Sequence, residues 1–116
     1  MSVYNIKILD VNPKVASIEL NENVLGGNDA LEFSAKLYET FDKGITNVIV
    51  DLTKVKVMNS SGLGMLVSGL SSLRRNNIQM VLCSVPLKVM SLLEMTHLDK
   101  VFIIYNDIKE AYEKFS

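Results

Sequence analysis

The sequence predicts a single α/β domain over residues 1–116, with a mixed β-sheet flanked by about four helices. Three observations lead there. A chain of 116 residues suffices for one core and falls short of two ordinary domains, and 48% hydrophobic content favours a packed interior over disorder. From residue 47 onward strand and helix signals alternate, which implies parallel strands joined by right-handed crossovers. Ahead of that alternation, two strand-like runs are separated by a turn so short that it implies an antiparallel hairpin.

The hairpin strands are read at Val3 to Leu9 and Val15 to Leu20, joined by the turn Asp10-Val11-Asn12-Pro13-Lys14. A polar loop with Gly26-Gly27 follows. Asp29 is placed to cap a helix with Glu32 three residues on, and Ala30, Phe33, Leu37 and Phe41 then make an apolar stripe at helical spacing. Gly44 is a natural stop. Asn47 to Leu52 reads as a buried strand, Ser61 to Asn76 as a helix and Gln79 to Ser84 as another strand. Pro86 opens a third helix that runs to about Met95, and Val101 to Tyr105 is a last short strand. Asp107 caps a terminal helix carrying Ile108, Ala111, Tyr112 and Phe115. No repeat, linker or low-complexity segment interrupts this order.

In the helix after Ser60, Leu63, Leu66, Val67, Leu70 and Leu73 fall three or four apart and define one face that must pack on the sheet. Met65, Ser68, Ser71, Ser72 and Arg75 occupy the other faces. That surface is weakly charged and partly apolar, unlike the Glu/Lys coat usual for a solvated helix, and it suits contact with another protein. Met65 fits either role, an adaptable contact or secondary core packing.

Composition excludes several function classes. A formal net charge of −1, with Arg74-Arg75 the one close basic pair, leaves no basic field for direct nucleic-acid binding. No apolar run approaches the roughly 20 residues that span a bilayer, and Met1 to Asn5 lacks the parts of a signal peptide, so the expected location is the cytoplasm, without membrane insertion. Cys83 is the single cysteine, which excludes an intramolecular disulfide and reads as a small buried hydrophobe. One His and one Cys give no metal site.

Enzymatic readings fare no better, and the chain is not expected to be an enzyme or to need a cofactor. His97 is the only histidine, and the residues around Ser60 do not form the Gly-x-Ser-x-Gly of a nucleophile elbow. Gly62-x-Gly64 begins like a dinucleotide fingerprint, but the third glycine position falls on Val67. No Gly-Lys-Ser/Thr occurs to make a phosphate-binding loop. Most aspartates lie in turns and caps, where they serve the backbone. Asp51 ends an apolar strand, where it either caps the following turn or approaches the Asn59-Ser60 loop.

What remains is the stretch Met58-Asn59-Ser60-Ser61-Gly62-Leu63-Gly64, between the buried strand and the striped helix. It puts two hydroxyls where unpaired backbone N–H groups and the positive end of the helix dipole meet, a setting that suits a phosphate. Ser60 also reads as a plain N-cap, with Asn59 or Ser61 sharing the task and Gly62 easing the backbone through.

The segment Asp51-Leu52-x-x-Val55-x-x-Met58-Asn59-Ser60-Ser61-Gly62-Leu63-Gly64 resembles the signature of STAS domains, specifically the bacterial anti-sigma factor antagonists, also called anti-anti-sigma factors. The order of elements fits along nearly the whole chain, including Met80 to Cys83 and Val89 to Leu98. The resemblance implies a STAS-like fold and makes Ser60 the phosphoacceptor, with Ser61 its helix-capping neighbour and Asn59, Gly62, Gly64 and Asp51 as framework. In that family the unphosphorylated form binds an anti-sigma factor with a serine-kinase fold and frees a sigma factor. Phosphorylation by that kinase ends the interaction, and a phosphoserine phosphatase restores it. The implied partner surface comprises Asn59, Ser60 and Ser61, the exposed side of the helix around Met65 and Ser68, and the Val24 to Asp29 loop, with Val24, Gly26 and Asn28. Two positions depart from the family pattern: Asn59 stands where Asp is usual, and Asn23-Val24-Leu25-Gly26-Gly27 lacks the common Gly-Glu-Leu/Ile-Asp loop. Two other readings stand beside this one: a STAS interaction module of a transporter or signalling scaffold whose Ser60 is only a cap, and a nucleotide-binding or small enzymatic domain.

Overall fold

A computed structural model describes the backbone of residues 5–11 and 14–115, with side chains over residues 14–115. Strands β1 (Asn5–Val11) and β2 (Lys14–Glu19) pair antiparallel, with a register shift between Ile8 and Asp10. This is the expected hairpin. The expected start at Val3 and the turn residues Asn12 and Pro13 lie outside the described residues.

After β2 come β3 (Asn23–Val24), α1 (Asn28–Asp42), β4 (Asn47–Asp51), β5 (Val57–Met58) and α2 (Ser60–Arg75). The chain continues through β6 (Gln79–Cys83), α3 (Leu87–Met95), a 3₁₀ turn (Leu98–Lys100), β7 (Ile103–Tyr105) and α4 (Ile108–Phe115). The main sheet has the order β1-β2-β4-β6-β7, and every pair after the hairpin is parallel, so the mixed α/β architecture is as expected.

Strand alternation divides the core. Val48 and Val50 of β4 and Met80 and Leu82 of β6 join the larger core, with Phe33 and Leu37 of α1, Leu63, Leu66, Leu70 and Leu73 of α2, and Val89 and Leu93 of α3. Ile49, Val81 and Cys83 point the other way, into a smaller core closed by Ala111 and flanking residues of α4. Each fully buried Leu, Ile or Phe contributes roughly 1.5–3 kcal/mol through loss of apolar surface from water.

Several boundaries differ from expectation for physical reasons. Asp29 is not the cap of α1: Gly27 is the N-cap residue, without a side-chain bond, and Asp29 Oδ2 instead accepts from the Leu25 amide at 3.3 Å. Pro86 sits at the N-cap of α3, one position ahead of its expected place. The expected strand from Val101 begins at Ile103, because Val101 and Phe102 donate their amides to Leu98 and close the 3₁₀ turn. Asp107 does cap the last helix, accepting from Glu110 N at 2.8 Å.

Candidate functional site

The site is built where β4 leaves the sheet. Leu52 donates its amide to the Cys83 carbonyl, and the Glu22 carbonyl accepts from both Lys56 N (2.8 Å) and Val57 N (2.9 Å). This shared acceptor draws the two loops together, and β3 and β5 then pair in parallel as a two-stranded sheet, Asn23 with Val57 and Val24 with Met58. Neither strand was expected, since two residues are too few to display an alternating pattern.

The small sheet delivers the chain into α2. Asn59 has extended backbone, with φ −107° and ψ −177°, and its Oδ1 accepts from Gly62 N at 2.8 Å. Leu63 N closes the first helical bond on the Asn59 carbonyl at 2.9 Å. Asn59 is therefore the N-cap, and Ser60 is the first helical residue rather than the cap. The Ser60 and Ser61 amides precede the first intrahelical bond, and both residues are exposed. No acidic residue lies in this first turn, while Arg74 and Arg75 occupy the last turn and complement the dipole.

Gly62 is fixed by a close approach. A Cβ there would fall 2.0 Å from the Val24 carbonyl oxygen, so β3 can lie against α2 only because the side chain is missing. Gly26 backs onto Ser61 in the same way, with an added Cβ 2.6 Å from Ser61 Cβ. Leu25, held between these two contacts, is 44% exposed, and Val57 on β5 is 50% exposed. Leu25 lies in the loop from Val24 to Asp29 that the sequence assigns to the partner surface, whereas Val57, three residues before Ser60, carried no expectation.

The structure brings Asn59, Ser60, Ser61 and Gly62 together with the Val24–Asn28 loop. Ser68, Gly64 and Asn28 are exposed. Met65 corrects the expectation of an exposed helix side: at 5% exposure it belongs to the larger core. Val24, fully buried, and Gly26 likewise lie beneath the loop surface, because their backbone is pressed onto α2.

Asp51 stands apart. It shares the sheet face of Ile49 and Cys83, opposite α2, and its Oδ1 accepts from Thr53 N at 3.0 Å and from Thr53 Oγ1, so it caps the turn and does not reach over Ser60. Burial first, and then the Asp51 charge, push the Cys83 thiol up to about 12, which keeps it protonated and unreactive at neutral pH. His97 is exposed at the end of α3 with φ +61°. Among the described residues no cluster of His, Cys, Asp and Glu could hold a metal ion, and no helix is long and apolar enough to cross a membrane.

A five-stranded mixed sheet, three helices on one face and one on the other, and a capped helix start carrying two exposed serines define a small α/β domain whose distinctive chemistry lies on its surface. The STAS domain family model matches residues 7–111, and the chain belongs to that family. It is 33% identical over 76 residues to a Thermotoga maritima protein with the provisional name anti-sigma factor antagonist, covering 66% of this chain and 67% of that one. A crystal structure of a protein of the same provisional name from Thermotoga maritima is similar at TM-score 0.77 and 27% identity, over 97% of this chain and 93% of that one. The Bacillus cell fate determinant SpoIIAA, in its phosphorylated form, shares the fold at TM-score 0.73 and 15% identity, over 97% of this chain and 99% of that one.

Proposed function

We propose that this chain is an anti-sigma factor antagonist working by a phosphorylation-controlled partner switch. Unphosphorylated, it binds an anti-sigma factor of serine-kinase fold and releases a sigma factor; a phosphate on Ser60 ends that binding, and a phosphoserine phosphatase reverses it. The observation that carries the reading is the position of Ser60, exposed as the first residue of a helix whose cap is made by its neighbour Asn59. Its hydroxyl is not consumed in holding the fold. The likeness to the Thermotoga maritima protein supports the same role.

Electrostatics shapes how the switch operates. A phosphate bringing about −1.5 to −2 charges to a helix N-terminus is accepted by the free domain. The effect on binding then arises at the interface, where the group adds bulk and charge against partner groups matched to a neutral hydroxyl. A penalty of about 2.8 kcal/mol lowers affinity roughly a hundredfold. Asn59 keeps the capping acceptor and adds no carboxylate beside the acceptor serine.

The test is incubation of wild type, Ser60→Ala and Ser61→Ala with the kinase-fold anti-sigma factor and ATP, followed by mass spectrometry and calorimetric titration. Loss of labelling in Ser60→Ala alone supports the switch. Equal labelling of wild type and Ser60→Ala, or binding unchanged by the phosphate, refutes it.

A further inference from the structure

The small β3–β5 sheet has an outward face. Its register pairs Asn23 with Val57 and Val24 with Met58, and Val24 and Met58 pack on the larger core, so Asn23 and Val57 point to solvent. Leu25, one step beyond the buried Val24, joins them. Both apolar residues stand on backbone that is held from behind. The Leu25 amide donates to Asp29 Oδ2, the following Gly26 abuts Ser61, and the Val57 amide donates to the Glu22 carbonyl at 2.9 Å. A half-exposed leucine and valine on fixed backbone lose little further freedom when a partner covers them.

The charges on the same two arms are engaged locally. Lys54 pairs with Glu19 at 3.0 Å and Lys56 with Glu22 at 3.7 Å, while Asp29 is taken by the Leu25 amide. The motif beside them contributes Asn59, Ser60 and Ser61, all neutral. What covers this patch follows from distance. Val57 precedes Ser60 by three residues, at most roughly 11 Å of extended chain, and Leu25 is the chain neighbour of the glycine seated on Ser61. A stable interface takes roughly 800 Å² from each partner, a disc of roughly 16 Å radius. A kinase-fold protein centred on Ser60 therefore covers both side chains.

We infer, resting on the partner switch proposed above, that Leu25 and Val57 are the apolar anchors of its interface, received by apolar surface on the kinase-fold anti-sigma factor. They set the affinity, and Ser60 beside them sets whether binding is allowed. A phosphate on Ser60 brings charge into a contact whose neighbouring groups are apolar or neutral, and it must shed water there.

The test is calorimetric titration of the full chain, unphosphorylated, with the kinase-fold anti-sigma factor that labels Ser60. Leu25→Ser and Val57→Ser should each bind about tenfold more weakly, and the double variant about a hundredfold. Leu25→Met and Val57→Ile keep the apolar area and should bind within about threefold of wild type, which separates lost contact from a damaged fold. Met95→Ser is the control that keeps full binding: Met95 is 78% exposed and closes α3, which runs back from the carboxyl end of β6 and so away from the Ser60 end of the sheet. Wild-type affinity should change less than about threefold between about 0.05 and 0.5 M NaCl, as an apolar contact requires. Full binding by the double variant, equal losses in the apolar replacements or in Met95→Ser, or a tenfold fall with salt would overturn the anchors and leave the switch standing. Wild type neither labelled nor bound by such a protein would overturn the switch itself, and the anchors with it.

Discussion

Helices α1 and α2 begin a few residues from one another's supporting loop, yet their N-termini are built on opposite principles. The α1 start is made by backbone and charge: Gly27 turns the chain with φ +58°, no side chain caps it, and Asp29 supplies an acid in the first turn. The α2 start is made by a neutral side chain, Asn59, with no acid in the first turn and two serines exposed beside it. Each arrangement satisfies orphan amides. Only the second has no acid in its first turn, so a covalent phosphate would be accommodated at α2 and would meet Asp29 at α1.

The largest expected break in this comparison is Gly62→Ala. Alanine usually gains up to about 1 kcal/mol over glycine inside a helix. Here its Cβ would overlap the Val24 carbonyl, a backbone atom that moves only if β3 leaves β5. The clash should dominate, costing about 3 kcal/mol or more in urea unfolding. At the other helix Gly27→Ala meets no atom within 4 Å, so only the backbone is penalised: φ +58° with ψ −122° lies outside the left-handed helical well, at a cost of roughly 1–3 kcal/mol. Equal losses at the two positions would show that β3 does not bear on α2.

Next in size is the cap itself. Asn59→Ala removes the acceptor for Gly62 N and should lower stability by about 1 kcal/mol. Asn59→Asp keeps the acceptor and adds a favourable charge, so it should match wild type within a few tenths of a kcal/mol. Once a phosphate is present at Ser60 the order reverses, because the aspartate and the phosphate share one helix end. Phosphorylated Asn59→Asp should then melt below phosphorylated wild type, and a higher melting temperature would contradict the idea that the neutral cap suits the modification.

Much of this difference was legible in the residues, and the part that was not has a physical cause. The alternation from Asn47 to Ser84 and the stripe from Leu63 to Leu73 located β4, α2 and β6 to within a residue, because period and burial agree there. The cap of α1 was misplaced on Asp29, since sequence spacing cannot distinguish a carboxylate that caps from one that binds the loop amide of Leu25. Met65 was ambiguous for a related reason: helical period alone does not tell a core side chain at the edge of the packed face from an exposed one, and its 5% exposure places it in the larger core. The surface of the site was harder to read than its motif because Leu25 follows, and Val57 belongs to, a strand of only two residues.

The smallest effect isolates the electrostatics most cleanly. Ser60 and Asn28 are the first helical residues of α2 and α1, and both are exposed, so Ser60→Asp and Asn28→Asp place the same carboxylate at equivalent points on the two dipoles. At α2 the new charge meets amides ahead of the first intrahelical bond and no acid in its own first turn, and should stabilise by about 0.3–1 kcal/mol at low ionic strength. At α1 it joins Asp29, and mutual repulsion should cancel most of the gain. Raising the salt to about 1 M, where the Debye length falls to about 3 Å, should bring the two variants together. A stabilisation of equal size at both helices would mean that neither the neutral Asn59 cap nor the carboxylate of Asp29 sets how an anion is received, and the contrast between the two N-termini would then lie in shape alone.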